Sequence, residues 1–402
     1  MQLGVDLTAA PFCLPPGAPI GVAVSGGGDS MALLHILANT WAGKISVATV
    51  DHGLRPAAGD EAAMVARFCN ERGIAHSVLA LPQPLGTSNV MAAARDARYA
   101  ALSHWAQAAR LECVVLGHTQ DDVAETFLMR LSRGSGLYGL AAMPAEFYHA
   151  QGTRFIRPLL DVSRETLRSY LRANTVDWAE DPTNLDDTYL RSQMRKLLPN
   201  LAQVGMDVAK LAGAANQLAD AKTVVQAQVH AFLNTHARLE YGDVIIPQSA
   251  LSQAMPQVAF RAISEILMWI GQSPYPPRAA KTKKIIQAPA GMTLNGVVVD
   301  MVKTDIRFGR EYRMVADLVV NSAHPWDGRW MARNPQKNKT IQPIGERGWA
   351  MLGGRKMPDT PPHKFAIAHP AIWDGGEIIH APSLRHGDPD AIFLSKRLLS
   401  QY

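Results

Sequence analysis

Residues 20–30 read IGVAVSGGGDS, and this stretch decides the fold of the first half of the chain. Ile20–Val24 is a run of apolar and small residues, which is typical of a strand buried on both faces. The three glycines that follow let the backbone turn tightly and approach a ligand closely. A helix is predicted over Asp29–Leu37, so its N-terminal N–H groups and positive dipole end point at the turn. The stretch therefore predicts a strand, a turn and a helix that form an anion-binding cradle.

Strand and helix patterns alternate through roughly the first 160 residues. We predict further strands at Ile45–Val50, His76–Leu81 and Cys113–Leu116, and helices at Asp60–Arg72, Val90–Ala109 and Asp121–Leu131. Apolar strands separated by helices indicate a parallel sheet that is covered on both sides. The predicted fold class is α/β, with a doubly wound parallel sheet of strand order 3-2-1-4-5. In that order strands 1 and 4 are neighbours.

The second half of the sequence has a different texture. We predict helices at Ser163–Arg172, Val208–Phe232 and Ser249–Ile270, and strands at Val297–Met301, Ile306–Phe308, Lys364–Ala368 and Glu377–His380. Ser163 and Asp207 are the predicted N-caps of the first two helices. These patterns predict a catalytic domain over 1–205, a helical linker and middle domain over 206–320, and a small C-terminal α/β domain over 321–402.

The composition is that of a folded protein of two or three domains. The 402 residues are 47% hydrophobic, which is ample for sizeable cores. No apolar run approaches the ~20 residues that cross a bilayer, and no signal peptide pattern is present, so we expect a cytoplasmic protein without a membrane partner. Cys13, Cys69 and Cys113 have no C-x-x-C spacing, which excludes a disulfide framework and a zinc site of that type. The net charge of +5 favours a polyanionic partner only weakly.

The glycine-rich turn belongs to a particular kind of phosphate loop. It has no lysine to reach a γ-phosphate, and Met31 stands where a dinucleotide-binding turn has its third glycine. An ordinary glycine-rich turn would explain the glycines but would not require two serines and an acid. The pattern S-G-G-x-D-S resembles the pyrophosphate loop of the N-type ATP pyrophosphatases, which predicts ATP and pyrophosphate binding by Ser25, Gly26, Gly27, Gly28, Asp29 and Ser30.

A second polar constellation follows the strand Cys113–Leu116. Residues 117–126 read GHTQDDVAET, and Asp122, Glu125 and Thr126 share one helical face by their i, i+3, i+4 spacing. Acids in a first helical turn can simply complement the helix dipole. Because strands 1 and 4 are predicted neighbours, both turns should instead meet over one ligand. A third turn, with Asp51 and His52, follows the strand on the other side.

Taken together, these motifs resemble those of the tRNA(Ile)-lysidine synthetases. The resemblance covers roughly residues 20–195 and rests on SGGGDS at 25–30, DHGLR at 51–55, Ala94-Arg95 with Arg98-Tyr99, the 117–126 stretch, Arg130, RGSGL at 133–137, RPLL at 157–160, DPTN at 181–184, Tyr189-Leu190-Arg191 and Arg195. One departure is Ser192, which stands where the family usually has Asn. The resemblance implies an adenine nucleotide alpha-hydrolase-like fold for the catalytic domain.

The resemblance also implies a reaction. ATP would adenylate the wobble cytidine of an isoleucine tRNA with a CAU anticodon, and free L-lysine would then displace AMP, changing the codon read from AUG to AUA. It implies Asp29, Asp122 and Glu125 as catalytic residues, with Asp29 and Asp122 as Mg²⁺ ligands. Glu125 would hold the amino acid, and Asp122 would serve the metal or accept the proton. Nucleotide or lysine contacts are expected at Asp51, His52, Arg95, His118, Thr126 and Arg191.

Two basic clusters are candidates for contact with the RNA backbone. Arg164, Arg168 and Arg172 form a stripe at i, i+4, i+8, and Arg278, Lys281, Lys283 and Lys284 form a second cluster. Either cluster could equally be a solvated face. Two rival functions remain open: a tRNA thiolase of the same superfamily, and a nucleotide-binding module without catalysis. The sequence leaves the oligomeric state open, a homodimer included.

Overall fold

The computed structural model describes residues 3–51, 58–81, 90–180, 190–273, 275–353 and 360–394. Residue contacts divide the chain into two compact units, 1–222 and 223–402. The division into three domains, at 1–205, 206–320 and 321–402, remains a prediction. No helix among the residues described is long and apolar enough to cross a membrane.

The first unit contains a six-stranded sheet with helices around it. Its elements are β1 (Ile20–Ala23), α1 (Gly28–Thr40), β2 (Ile45–Asp51), α2 (Ala58–Glu71), β3 (Ala75–Ala80), α3 (Val90–Ala108), β4 (Cys113–Leu116), α4 (Gln120–Leu131), α5 (Leu137–Leu140), β5 (Glu146–Tyr148), β6 (Arg154–Ile156), α6 (Arg164–Ala173), α7 (Leu190–Gln203) and α8 (Val208–His236), the last of which runs into the second unit. The strand order is β3-β2-β1-β4-β6-β5. All neighbours are parallel except the edge pair of β5 and β6.

Strand β1 lies at the centre of this sheet, as its sequence predicts. All four of its residues are buried, and β1 pairs in parallel with β2 on one side and β4 on the other. The core beside it is formed largely by α1, whose residues Ser30–Leu37 are all buried, and by Leu167 and Leu171 of α6. Because Ala23 pairs with Leu116, β1 and β4 end side by side. The turns that follow these two strands therefore open at the same edge of the sheet.

The predicted α/β fold is confirmed, and most predicted elements of this unit lie within two residues of their observed bounds. Ser163 caps α6 by accepting a hydrogen bond from the Thr166 N–H, and Asp207 accepts one from Lys210 at the start of α8. The sequence did not reveal the hairpin of β5 and β6, which has only three residues in each strand. Short strands of this kind leave little periodicity to detect.

The second unit contains two further sheets and a two-stranded ribbon. Its elements are β7 (Arg238–Glu240), β8 (Asp243–Pro247), α9 (Gln248–Gln253), α10 (Pro256–Gly271), α11 (Ala279–Gln287), β9 (Met292–Leu294), β10 (Val297–Val302), β11 (Asp305–Arg310), β12 (Val320–Asn321), β13 (Trp330–Ala332), β14 (Thr340–Pro343), α12 (Gly345–Met351), α13 (His363–Ala366), β15 (Pro370–Asp374), β16 (Glu377–His380) and β17 (Ile392–Leu394). The sheet orders are β7-β8-β11-β10-β9 and β12-β14-β15-β16, while β13 pairs with β17.

Two predictions for this half are wrong in detail. The single helix expected over Ser249–Ile270 is two helices, α9 and α10, which are separated at Ala254 and Met255. Pro256 causes the break because it disfavours a helical conformation at the preceding residue and itself suits the first turn of a new helix. The strand predicted at Lys364–Ala368 begins instead as the short helix α13. The strand Glu377–His380 is confirmed.

Candidate active site

The glycine-rich turn between β1 and α1 is held in shape by its own serines. The Ser30 hydroxyl donates to the Gly27 carbonyl (2.9 Å) and accepts from the Ser25 N–H (3.2 Å). Gly26 has φ +90°, and a Cβ there would lie 3.2 Å from the Glu61 Cβ, so glycine suits both the backbone and the space. We call residues 25–30 the phosphate loop, since its helix end and hydroxyls suit an anion.

A short segment after α6 covers this loop. The Ala179 N–H donates to the Gly26 carbonyl (2.9 Å), and Ala179 forms a parallel bridge with Gly27. A Cβ on Gly28 would lie 3.3 Å from Trp178 Cδ1, so the indole ring packs directly over the loop backbone. The Trp178 Nε1 atom is buried and has no partner among the side chains and backbone described. Trp178 and Ala179 therefore brace the phosphate loop from one side.

The turn between β4 and α4 packs against the same loop. A Cβ on Gly117 would lie 3.1 Å from both the Asp29 carbonyl oxygen and the Ser30 Cα, so the two backbones are in near contact. At the start of α4, the Thr119 N–H (2.8 Å) and hydroxyl (3.1 Å) donate to Asp122 Oδ2. This capping arrangement fixes the Asp122 carboxylate and leaves its Oδ1 atom directed at other groups. The two turns predicted to meet do meet.

Arg164, the first residue of α6, joins the acids of both turns. Its guanidinium contacts Asp29 Oδ2 (Nε, 3.1 Å), Glu125 Oε1 (Nη1, 3.1 Å) and Asp122 Oδ1 (Nη2, 3.4 Å). Its backbone N–H also donates to Asp121 Oδ2 (2.7 Å). One guanidinium therefore links an acid of the phosphate loop to two acids of α4.

The positively charged side chains of this site gather around the Glu125 carboxylate. Its side chain is fully buried, and it pairs with three guanidinium groups: Arg164, Arg191 (Nε to Oε2, 2.9 Å) and Arg195 (Nε to Oε1, 2.8 Å). Arg191 Nη2 also lies 3.5 Å from Asp122 Oδ1. A fully buried carboxylate is stable only when it is paired in this way. In this structure, Glu125 is therefore the point at which three guanidinium groups converge.

The two candidate metal ligands differ in their protonation chemistry. Burial raises the pKa of Asp29, and the nearby Asp122 and Asp121 add to this, although Arg164 opposes it. Burial also disfavours the charged form of Asp122, but Arg191 and Arg164, with the hydrogen bond from the Thr119 N–H, outweigh it and lower the pKa of that carboxyl. Asp122 is therefore firmly ionised at neutral pH, while Asp29 is the easier of the two to protonate.

His118 lies beside these acids as a neutral ring. Burial lowers the pKa of His118 to about 3, in spite of the opposing charge of Asp122, and the cations Arg157, Arg98 and Arg191 lower it further. Its Nδ1 atom is buried and unpartnered in the described structure. At neutral pH this side chain can offer a hydrogen bond to a ligand but carries no charge.

Four arginines form a second cationic region near His118. Arg98, Arg130 and Arg157 each have a pKa lowered first by burial and then by the charge of Arg95. Arg130 donates to the carbonyls of Gly139 and Ala141, and Arg157 donates to that of Pro144, so these contacts leave their charges uncompensated. Mutually repelling cations that have no acidic partner among the described residues favour an anion as ligand.

Asp29 and Asp122 have the chemistry of magnesium ligands. Among the residues described, no group of three or more His, Cys, Asp or Glu side chains is arranged to hold a metal ion. Mg²⁺ in phosphate-binding enzymes commonly takes only one or two carboxylates and completes its shell with water and substrate phosphates. Because both carboxylates contact the Arg164 guanidinium, they share one cationic position, and the two side chains fit such an ion.

The other expected contact residues have different surroundings. Asp51 is half-buried at the C-terminal end of β2, and Thr126 is half-buried on α4. Arg95 is exposed, with its guanidinium 5.5 Å from the Tyr99 ring centre. Ser192, at the position of the family's usual Asn, is buried in α7. His52 and the rest of the 51–55 motif, Asp181–Asn184 and Tyr189 lie outside the described residues.

The predicted basic stripe of α6 is not a free cationic surface. Arg164 contacts the acids of the site, because its position at the helix start brings it to the same sheet edge as α4. Arg168 lies 3.8 Å from Glu180, and Arg172 pairs with Glu165 at 3.0 Å. By contrast, Arg278, Lys281, Lys283 and Lys284 are exposed on and before α11, while Thr282 and Ile285 of that helix are buried.

Sequence reasoning missed the site roles of Arg164, Arg195 and Trp178. Arg195 was recognised only as part of a motif. The signal that could have placed Arg164 is β6, because a fifth parallel strand ending at Ile156 puts the next helix start at the ligand-binding edge. No sequence signal points to the packing of Trp178 on Gly28.

The fold and the phosphate loop define the class of this protein. Residues 10–201 match the PP-loop domain family, and this range contains both turns and all the acids of the site. The chain is thus a PP-loop ATP-binding protein.

Two curated relatives within that class narrow the family further. It is 38% identical over 385 residues to the tRNA(Ile)-lysidine synthase of Ruegeria pomeroyi, which covers 94% of this chain and 91% of the relative. It is 34% identical over 303 residues to that of Hyphomonas neptunium, with 72% and 80% covered. The chain belongs to the tRNA(Ile)-lysidine synthase family, a family of ATP-using ligases, and the resemblance in its motifs is confirmed. The U34-tRNA thiolase NcsA from Methanococcus maripaludis is structurally similar with a TM-score of 0.46 and 19% identity, over 54% of this chain and 77% of that one.

Proposed function

We propose that this chain ligates free L-lysine to C2 of the wobble cytidine of an isoleucine tRNA with a CAU anticodon. ATP is converted to AMP and pyrophosphate, and the codon read changes from AUG to AUA. The observation that carries the proposal is the junction at Arg164, where the phosphate loop and the acids of α4 share one cation. A site that activates with ATP and then accepts an amine needs this adjacency. We also propose the cytoplasm as its place of action.

The reaction has two balanced steps. In the first, the cytidine O2 attacks the α-phosphorus of ATP, an O–P bond forms, and the bond to the pyrophosphate oxygen breaks. In the second, the lysine amine attacks C2, a C–N bond forms, and the C2–O bond breaks to release AMP. The amine must lose a proton, because a lysine ammonium with a pKa near ~10.4 is not a nucleophile, and the Glu125 carboxylate that binds it would accept that proton.

The phosphate loop and its neighbours would serve the first step. The serines, the helix end and the backbone of residues 25–30 would hold the departing pyrophosphate. Asp29 and Asp122 would hold Mg²⁺, which neutralises phosphate charge when it is bound. Since Asp122 has a lowered pKa and one oxygen committed to the Thr119 cap, its chemistry favours the ligand role over that of proton acceptor. The uncompensated arginines near His118 suit the phosphate that passes to the RNA.

Glu125 would serve the second step by binding the lysine. In the structure this carboxylate already contacts three cationic groups, so an ammonium is a ligand of the kind it accepts. Arg191, which is 41% exposed at its side chain, would pair with the lysine carboxylate bidentately. The lysine ammonium must displace at least one guanidinium from Glu125. We propose that the displaced group is that of Arg164, which also contacts the two proposed Mg²⁺ ligands.

Charge is distributed unequally along the chain, which supports RNA contact by the second unit. Residues 223–402 contain 21 Lys and Arg against 14 Asp and Glu, a formal charge of +7, whereas residues 1–222 contain 19 against 21. The second unit has four exposed cationic residues, Arg278, Lys281, Lys283 and Lys284. In the sequence they closely follow Tyr275, whose ring is also exposed. Cations next to an aromatic ring suit an RNA backbone and its bases.

The thiolase alternative has little support from the cysteines. Burial raises the pKa of Cys69 to about 11 and that of Cys113 to about 12, so both are protonated and unreactive at neutral pH. Cys13 is exposed but lies alone in the sequence. A sulfur-transfer reaction would require a reactive or paired thiol.

The test is an AMP-release assay with α-phosphate-labelled ATP, purified isoleucine tRNA and lysine. We expect AMP release to require both the tRNA and the lysine. The matched control is the same tRNA with uridine at the wobble position, which should not support release. Release that depends on a sulfur donor instead of lysine would identify a thiolase, and ATP binding without turnover would identify a non-catalytic module.

A further inference from the structure

One side chain bridges the proposed metal and amine positions of the active site. The guanidinium of Arg164 contacts Asp29 Oδ2 (3.1 Å) and Asp122 Oδ1 (3.4 Å), on the carboxylates proposed to hold Mg²⁺. It also contacts Glu125 Oε1 (3.1 Å), on the carboxylate proposed to bind the lysine ammonium. Both expected ligands are cations, so Arg164 competes with both of them for the same oxygen atoms.

Arg164 and a metal ion would repel each other at the two aspartates. Asp122 Oδ2 already accepts hydrogen bonds from the Thr119 N–H and hydroxyl, so Oδ1 is the oxygen that remains for a ligand. Because Mg²⁺ binds carboxylate oxygens at ~2.0–2.1 Å, an ion on Asp122 Oδ1 would lie at most about 5.5 Å from the Arg164 nitrogen that contacts the same atom. Like charges this close repel strongly in a site largely shielded from water. Metal binding therefore weakens the hold of the aspartates on Arg164.

The Glu125 carboxylate is shielded while Arg164 contacts it. Its side chain is fully buried, with Arg164 and Arg195 on Oε1 and Arg191 on Oε2. An ammonium reaches an oxygen of Glu125 only after one guanidinium has left. Of the three arginines, Arg164 is the one that also contacts Asp29 of the phosphate loop, so its position depends on what the aspartates bind. Arg191 stays, because it is the proposed partner of the lysine carboxylate.

The backbone at Arg164 is held independently of its side chain. The Arg164 N–H donates to Asp121 Oδ2 (2.7 Å), and Ser163 caps the helix that begins there. The Gln120 N–H donates to the Val162 carbonyl (3.0 Å), which ties the start of α4 to the residue before the cap. Release of the guanidinium therefore requires only a change of side-chain rotamer, with α6 left in place.

We propose that Arg164 is a latch that couples the two positions, so that lysine and the magnesium–nucleotide complex each bind more tightly when the other is present. The proposal rests on the proposed function for the identity of the two ligands. Arg164 leaves Glu125 when the aspartates hold the metal, and the freed guanidinium lies beside the phosphate loop, where nucleotide phosphates are acceptors. The free energy of moving Arg164 is spent by the first ligand and not by the second, which is positive cooperativity. The latch thus favours ATP binding before the amine.

The test measures binding of L-lysine to the full-length chain by titration calorimetry, without tRNA. Each protein is titrated alone and with Mg²⁺ and α,β-methylene-ATP, in which carbon replaces the bridging oxygen at the bond that breaks. In the wild type we expect Mg²⁺ and the analogue to lower the dissociation constant of lysine about tenfold, a coupling of ordinary size. Lysine must then tighten binding of the analogue by the same factor.

The Arg164→Gln variant removes the latch. Lysine should bind this variant without nucleotide more tightly than it binds the wild type without nucleotide, because no guanidinium has to be displaced from Glu125. The coupling factor should fall at least about fivefold. An arginine with a purely structural role would give neither effect, and direct attraction between the two ligands would persist in the variant.

Two further variants control for helix stability and for charge. Arg168→Gln changes an arginine one turn further along α6 that lies 3.8 Å from Glu180, and it should keep the wild-type coupling. Arg164→Lys keeps the charge, but a single ammonium cannot span three carboxylates, so the coupling should fall part of the way. This variant carries the comparison when thermal melting shows that Arg164→Gln is not folded.

Two results would overturn the latch in folded proteins. The first is equal lysine affinity of the wild type and Arg164→Gln without nucleotide, and the second is a coupling factor that Arg164→Gln leaves unchanged. Both results leave lysine binding intact. Absence of lysine binding in every protein and condition would refute the amine site of the proposed function, and the latch with it, so the two failures are distinguishable.

Discussion

At the scale of single residues, the site depends on the three arginines that pair with the buried Glu125 side chain. The spacing of Asp122 and Glu125 on α4 is readable from sequence, because residues three apart share a helical face. Their partners are not readable in this way, since Arg164, Arg191 and Arg195 come from α6 and α7, 39 to 70 residues later. Tertiary packing alone brings these charges together.

Asp29 provides a test of stability against function. Its pKa is raised in the folded protein, so folding favours the uncharged form, and Asp29→Asn should leave the melting temperature unchanged or raise it. The same substitution removes a proposed metal ligand and should lower kcat/KM for ATP by at least about 10- to 100-fold. Thermal melting and steady-state kinetics measure the two effects. A melting temperature that falls together with activity would contradict the electrostatic account.

His35 predicts how stability depends on pH. This buried ring is hydrogen bonded to the Tyr170 hydroxyl (Nδ1 to Oη, 2.8 Å), and burial, with help from Arg72, lowers the pKa of His35. As pH falls below ~6.5, the unfolded chain takes up a proton that the folded chain resists, so stability is lost on acidification. His35→Gln should therefore show a smaller drop in melting temperature between about pH 7.5 and pH 5.5. An equal drop in both proteins would rule out this contribution.

At the scale of elements, the sequence predicted the strands and turns that have strong local signals. The strand order was predicted from the apolar runs of β1, β2 and β4. The glycines after β1 marked the first turn, and the strand order then predicted that it meets the turn after β4. The β5–β6 hairpin was missed because three-residue strands have no detectable period. Lys364–Ala368 was misread as a strand because a short apolar run does not distinguish strand from helix. The bracing of the phosphate loop by Trp178 depends on a contact across about 150 residues of chain.

The contact between Gly28 and Trp178 predicts a coupled effect on ATP binding. Gly28→Ala places a Cβ 3.3 Å from the indole, so either the ring or the loop must shift by a few tenths of an ångström. We expect KM for ATP to rise roughly threefold to tenfold, because small displacements of a phosphate cradle are costly. In a Trp178→Ala background the same change should cost little, as measured by a double-mutant cycle.

Gly213→Ala is the control for that cycle. A Cβ there meets nothing within 4 Å, and the residue lies in helix α8, where alanine is favoured over glycine. It should leave KM for ATP unchanged. Strict additivity of Gly28→Ala and Trp178→Ala would show that the indole does not set the loop.

At the scale of the whole molecule, the two units differ in charge, and this difference supports the different tasks proposed for them. The first unit collects acids and arginines at one sheet edge, while the second has the surplus of +7. The net charge of the whole chain conceals this division, which is why composition gave only weak support for a polyanionic partner. The separation of charge supports chemistry in the first unit and RNA binding in the second.

The exposed lysines of α11 make that assignment measurable. Replacing Lys281, Lys283 and Lys284 by serine should weaken tRNA binding and reduce the slope of log affinity against log salt by up to about three. The paired change Arg168→Ser with Arg172→Ser is the control, because both arginines lie near carboxylates and should contribute little. Equal slopes in the wild type and the lysine variant would remove α11 from the RNA contact.

The most direct test of the account separates activation from ligation in a Glu125→Gln variant. With α-phosphate-labelled ATP and tRNA but no lysine, both the wild type and the variant should attach the label to the RNA. On addition of lysine, the wild type should release labelled AMP, and the variant should do so at least about 100-fold more slowly. Lysine-dependent release at the wild-type rate from a folded Glu125→Gln protein would contradict the claim that this buried carboxylate, set beside the phosphate loop, receives the amine.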